Sequence, residues 1–173
     1  MDKKSIFEDF HCPRWEELPQ MDLYMDQLVT LLNGYLTPFT TEKQGKKITS
    51  TMINNYVKHG IVHAPVRKRY TKEHVAYLIV VCILKSVYSL EEISTLIQVQ
   101  IEKCPQELAY NYFCTELENC LSSIFKCEEI QHIPSENVSA SEVVLICNTL
   151  QSVAYTVLSL IHISEPTRRR GIS

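Results

Sequence analysis

Eight positive charges lie between Glu42 and Glu73: Lys43, Lys46, Lys47, Lys58, Arg67, Lys68, Arg69 and Lys72. Against the two flanking carboxylates they give that stretch a formal +6, in a chain whose total is -3. The segment up to Asp26 carries -4, and the segment from Ser89 to Val157 carries -8. A basic centre in an acidic chain is the charge distribution of a phosphate-binding face. A solvated basic loop would have the same composition, so charge alone leaves both readings open.

The other reactive side chains form no comparable pattern. There are seven cysteines and no C-x-x-C pair. Cys104, Cys114, Cys120 and Cys127, with His132, are spaced more widely than the tight ligand pairs of structural zinc sites. Cys120 and Cys127 fall on one helix face, and buried helical thiols are the expectation. His59, His63 and His74 sit in or beside the basic stretch, and His11-Cys12 sits near the start. No Cys-His nucleophile or paired carboxylates stand out. Gly34, Gly45, Gly60 and Gly171 are the only glycines, so phosphate-cradling glycine loops are excluded. The expectation is a chain that is not an enzyme, with no metal site and no cofactor.

These residues need elements to hold them. The chain has 173 residues, 45% of them hydrophobic, which suits one domain or one domain with an oligomerisation element. Residues 1–20 read as an irregular acidic leader, and Met21 to Leu36 as a helix with Met25, Leu28, Val29, Leu32, Tyr35 and Leu36 on one face. Thr37 to Lys47 is a polar loop. Thr49 or Ser50 caps a short helix to His59, and Gly60 suits the left-handed position that ends it. Ile61 to Tyr70 reads as an extended connection that holds Pro65 and a basic cluster. Thr71 caps a helix to about Ser86. Ser89-x-x-Glu92 is a capping box opening a helix toward Gln98. Pro105 opens a long helix to Cys127 with Leu108, Tyr112, Leu117, Cys120, Leu121 and Ile124 inward. Ser139-x-x-Glu142 opens the last helix. The first ten residues lack a secretory signal, and the apolar run Val75 to Leu84 is too short to span a bilayer. With an odd number of dispersed thiols, a cytoplasmic protein is expected, with no membrane partner.

Residues 158–168 read LSLIHISEPTR. This resembles the translation of a transposase sequencing adapter, and residues 169–173 continue that pattern across an index. Residues 158–173 are therefore expected to be non-native, with the natural chain continuing differently after Val157. Without them the formal charge becomes -5, and Arg168, Arg169 and Arg170 do not count as a nucleic-acid tail.

From Met52 to Leu96 the sequence runs MINNYVKHGIVHAPVRKRYTKEHVAYLIVVCILKSVYSLEEISTL. Tyr56, Gly60-Ile61-Val62, Arg67-Lys68-Arg69-Tyr70, Thr71 and Ser89-Leu90-Glu91-Glu92-Ile93 follow, in order and spacing, the pattern of MerR-type DNA-binding heads. More closely, Pro13-Arg14-Trp15-Glu16-Glu17-Leu18-Pro19, Asp22 to Gln27 and Thr51 to Gly60 resemble a bacterial family of unknown function, the domain of unknown function 1836 family. The second resemblance spans nearly all of Pro13 to Leu96.

The resemblance implies an all-α fold: a MerR-like winged helix-turn-helix with a small wing over residues 21–100, then C-terminal helices over 101–157. It implies a transcriptional regulator of duplex DNA. Lys58, Arg67, Lys68 and Arg69 would hold phosphates. Asn54 and Asn55 would read base edges, since an Asn amide matches adenine N6 and N7. Thr51 would add a contact at the helix start. Tyr70 would anchor the wing by packing, with its hydroxyl near a phosphate. MerR-type heads usually carry Arg-Tyr where this chain has Asn54-Asn55, so one phosphate anchor is missing. The alternative is a protein-interaction adaptor that reuses the module. A homodimer through the C-terminal helices is expected, suiting a palindromic site.

Overall fold

The structure is a computed structural model that describes residues 3–40, 47–102, 104–136 and 139–164. The fold is all-α. Among the described residues there is no strand; extended pairing is limited to isolated antiparallel bridges, Leu23 with Tyr70 and Val66 with Arg69.

The first helix, α1, spans Lys3–Glu8. It is followed by α2 (Met25–Tyr35), α3 (Ser50–Lys58), α4 (Lys72–Leu84), α5 (Leu90–Ile101), α6 (Gln106–Lys126) and α7 (Ala140–Ser164). At the centre is α4. Its apolar run leaves no polar face, and Val75, Ala76, Leu78, Ile79, Val81, Ile83 and Leu84 are all buried. Such a helix must be covered all round; α2, α5 and α7 pack against it.

Local chemistry sets the helix starts. The Thr71 N–H donates to His74 Nδ1 at 3.0 Å, so a histidine takes the place of the usual capping-box glutamate before α4. Before α5 the box is complete: Ser89 N–H donates to Glu92 Oε2 at 2.7 Å, and Glu92 N–H donates to Ser89 Oγ at 3.3 Å. Ser139 N–H donates to Glu142 Oε2 at 3.0 Å at the start of α7. Cys127, at φ 58°, ends α6 in the left-handed region.

The longest packing seam joins α6 to α7, where Ile146, Cys147, Leu150, Val153, Ala154, Val157 and Ile161 of α7 are buried. By length and composition alone α7 could cross a membrane. Its buried stripe is also what a core helix requires. Ile161, within the segment read as adapter, continues that stripe, and residues 165–173 lie outside the described residues.

Three expectations change. The helix expected from Met21 starts at Met25, because Leu23 exchanges both backbone hydrogen bonds with Tyr70, at 2.8 and 2.9 Å. From Lys3 on, the leader is irregular only in part: besides α1 it holds a 3-10 turn at Trp15–Glu17, and it docks on α6. Phe7 stacks on Phe125 with centroids 5.4 Å apart. The Arg14 guanidinium makes two parallel bonds to Glu118, each 2.7 Å. Tyr110 Oη donates to the Pro13 carbonyl at 2.8 Å, and Trp15 N–H donates to Asn111 Oδ1 at 2.8 Å. The leader also alters the inward face of α6. Tyr110, Phe113 and Cys114 are buried while Leu108 is exposed.

Candidate nucleic-acid interface

The basic centre divides into a helix and a turn. In α3, Thr49 is the cap: its Oγ1 accepts from Met52 N–H at 3.3 Å. Ile53 and Tyr56 are fully buried and fix the helix to the core. Their complement, Thr51, Asn54, Asn55 and Lys58, is exposed. These four positions follow the i, i+3, i+4, i+7 spacing that lines one helix face. All four are residues expected from the sequence to face DNA, and the structure brings them onto one stripe.

The approach to α3 is pinned from α2. The Asn33 side chain accepts from Ile48 N–H at 3.0 Å and donates to the Ile48 carbonyl at 2.9 Å. At the far end Gly60 has φ +68°, a conformation only glycine adopts cheaply. Ile61 and Val62 then dive into the core, both N–H groups donating to the Tyr56 carbonyl at 3.0 and 3.4 Å. Burial raises the Tyr56 phenol far above its ordinary pKa, so it stays neutral, and Lys85 Nζ donates to its oxygen at 3.1 Å.

The turn comes next. Val66 and Arg69 bridge across it, with Arg69 N–H donating to the Val66 carbonyl at 2.9 Å. Between them Arg67 (φ 52°) and Lys68 (φ 60°) are both left-handed. Positive φ at both central residues is the geometry of a type I′ hairpin turn, which ordinarily takes Asn-Gly or Asp-Gly. Here it presents two exposed cations at its tip. Arg69 is exposed, with its guanidinium 4.2 Å from the Tyr24 ring centroid, a cation–π contact. Lys58, Arg67 and Lys68 have no ion-pair partner among the described residues.

Tyr70 does not join this surface. It is 3% exposed, its ring 5.5 Å from His74 and edge-on to it. Burial raises its phenol's pKa. Only the packing part of its expected role fits that position. Lys47 is exposed, whereas Lys43 and Lys46 lie outside the described residues. Two positioning residues, Tyr24 and Asn33, carry no signal in the sequence: each acts on a partner far along the chain, with no fixed spacing to betray it.

The thiols do not gather as a four-cysteine set. Cys104, Cys114 and Cys120 are buried and Cys127 is exposed. Burial pushes Cys82 up to about 12 and, with the nearby Glu116 and Cys147, Cys120 up to about 12. Cys12 of the leader is raised further still, chiefly by its hydrogen bond with Cys114 and then by burial. Such thiols are inert rather than nucleophilic.

The model of the family described as Domain of unknown function (DUF1836) matches residues 13–113, from the docked leader into the first third of α6. That is more than half of the chain, and the chain belongs to this family. No curated protein and no solved structure matches it.

Proposed function

We propose that the chain binds duplex DNA as a MerR-like winged helix-turn-helix regulator. In this reading α3 faces base edges and the Val66–Arg69 turn acts as the wing against the phosphate backbone. The observation that carries it is the pair Arg67 and Lys68. A left-handed non-glycine residue costs on the order of 1–2 kcal/mol, and this turn holds two in succession. Backbone strain of this kind concentrates at sites of function. Both strained residues are cations directed to solvent, which is what a phosphate contact needs. Asn54 and Asn55 supply amides for base edges, and Thr51 and Lys58 flank them.

A homodimer through the C-terminal helices belongs to the same proposal. Val144, Leu145 and Tyr155 of α7 are exposed apolar or aromatic side chains that a second copy would cover. Sedimentation velocity checks this directly; a monomer at all concentrations removes the dimer from the proposal.

The principal test is fluorescence anisotropy of the full chain on random-sequence duplex across a salt series. The chain carries Arg168, Arg169 and Arg170 replaced by Gln, so that the tail does not contribute. Affinity should fall with salt at a log–log slope of about -0.9 per neutralised phosphate. The double substitution Arg67→Ala with Arg69→Ala should weaken all sequences alike and flatten that slope. Asn54→Ala should instead relax sequence preference, by roughly 1–3 kcal/mol per base pair read. A folded chain that ignores duplex at low salt would overturn the DNA reading and leave the protein-interaction adaptor as the alternative.

A further inference from the structure

Beyond the residues of the family match, three side chains converge where the 127–139 connection meets the α6–α7 seam. Glu116 comes from α6, Cys147 from α7 and His132 from the connection. One ligand atom of each lies within 4.8 Å of the other two. Glu116 is 0% exposed, yet no lysine or arginine pairs with it among the described residues. Its Oε1 accepts from Ile133 N–H at 2.7 Å. Its Oε2 accepts from the Cys147 thiol at 3.6 Å and lies 3.8 Å from His132 Nδ1, an ion pair when that imidazole is protonated. A carboxylate taken wholly from water needs a compensating positive charge or a proton. The groups around it here, a thiol and an imidazole, are themselves metal ligands.

We infer that Glu116, His132 and Cys147 form a divalent-metal site with the ligand chemistry of zinc: one carboxylate oxygen, one imidazole nitrogen and one thiolate sulfur. The spacing fits. Metal–ligand bonds of about 2.1 Å to oxygen and nitrogen and about 2.3 Å to sulfur, set at tetrahedral angles, put sulfur and oxygen about 3.6 Å apart and nitrogen and oxygen about 3.4 Å apart. The sulfur–oxygen distance matches and the nitrogen–oxygen distance is a few tenths of an ångström longer. The sulfur–nitrogen separation, within 4.8 Å, would close toward about 3.6 Å by movement of the part-exposed His132 ring on metal binding. Mixed thiolate, imidazole and carboxylate donors suit zinc far better than calcium or magnesium, which take oxygen.

The surroundings also fit. A metal-bound histidine donates its second ring N–H to an outer partner that fixes its orientation. His132 Nε2 lies 3.3 Å from the Gln151 amide of α7. Rotation of that amide presents its oxygen as the acceptor, an exchange of two atoms that are interchangeable in assignment. The His132 side chain is 42% exposed, which leaves a path for the ion from solvent. Three protein ligands leave a fourth position for water or a further donor. The ion would tie α6, α7 and their connection together, the region where the proposed dimer would form.

The test is zinc binding by the untagged full chain, in competition with a chromophoric chelator, together with cobalt(II) spectroscopy. The expected result is one ion per chain, with a thiolate-to-cobalt charge-transfer band and the intense visible bands of a tetrahedral site. His132→Asn, at an exposed position, and Cys147→Ser should each weaken zinc more than tenfold, and Cys147→Ser should abolish the charge-transfer band. Gln151→Ala should weaken zinc by roughly tenfold. Cys127→Ser, at the exposed thiol, should leave binding unchanged. Circular dichroism confirms that each variant is folded. Absence of stoichiometric uptake by the folded chain would overturn the site. So would uptake that survives both His132→Asn and Cys147→Ser, or that Cys127→Ser removes. DNA binding is not needed for any of these readouts, so this inference stands or fails apart from the proposed function.

Discussion

Basic side chains meet two different fates in this molecule. At the leader, Arg14 is fully engaged: both terminal nitrogens bond Glu118, and one also donates to the Cys12 carbonyl at 2.6 Å. Glu118 in turn accepts from Cys12 N–H at 2.7 Å. At the other region, Lys58, Arg67 and Lys68 are exposed, and two of them sit on strained backbone. Composition treats both kinds of cation alike; their partners do not. A cation already satisfied by the fold contributes to stability, whereas one held outward at conformational cost is available to a ligand. That contrast separates a charge engaged by the fold from one left without an ion-pair partner among the described residues, a distinction net charge cannot make.

The largest effect should come from the engaged cation. Arg14→Ala removes two charge-assisted bonds and leaves a three-quarters-buried carboxylate relying on Cys12 N–H and His11. Breaking a fully buried pair costs about 3–5 kcal/mol. Partial exposure lowers this to roughly 2 kcal/mol, an expected fall of about 4–8 °C in Tm for a chain of this size. DNA affinity, measured below that temperature, should not change. An unaltered Tm would reduce the pair to a surface contact and erase the contrast.

The turn should behave in the opposite sense. Arg67→Asn with Lys68→Gly supplies the residues a type I′ turn prefers, at φ values they adopt readily. Relief of the left-handed strain should stabilise the fold by about 1 kcal/mol, seen as a higher midpoint in urea. The same change should weaken duplex binding and flatten its salt dependence. A variant that gains stability and keeps its affinity would show that the two cations are not phosphate contacts.

How far the sequence revealed this arrangement depended on the range of each interaction. The Ser89-x-x-Glu92 box, the Thr71 start, the Gly60 stop and the buried α4 were legible because each is a local pattern read within a few residues. Tyr70 could be read as a packing residue, but its backbone pairing with Leu23, which delays α2, could not. The leader was opaque for the same reason. Pro13 to Pro19 has no helical period, and its partners Tyr110, Asn111 and Glu118 lie about a hundred positions away. The Glu116, His132 and Cys147 cluster is the extreme case. Sequence spacing drew attention to four cysteines at wide intervals with His132; of these only His132 joins the cluster, and its partners Glu116 and Cys147 come from two other elements.

The smallest expected effect concerns a charge that is exposed yet engaged locally, between the two extremes. Glu92 has its pKa lowered below the ordinary glutamate value, first by the backbone N–H of Ser89 and then by the Ser89 side chain. A carboxyl whose folded pKa is depressed adds stability above its unfolded pKa, and that stability is lost as pH falls through the folded value. Glu92→Gln keeps an acceptor for the Ser89 N–H but removes the charge that favours a helix start. The wild-type chain should therefore be slightly more stable than Glu92→Gln at neutral pH. The gap should close as pH drops through and below the usual carboxylate range, as followed by urea midpoints. A gap that persists in acid would mean that the side chain acts by its shape rather than its charge. Duplex binding at neutral pH should be untouched, because this charge, like that of Arg14, is already committed to the fold.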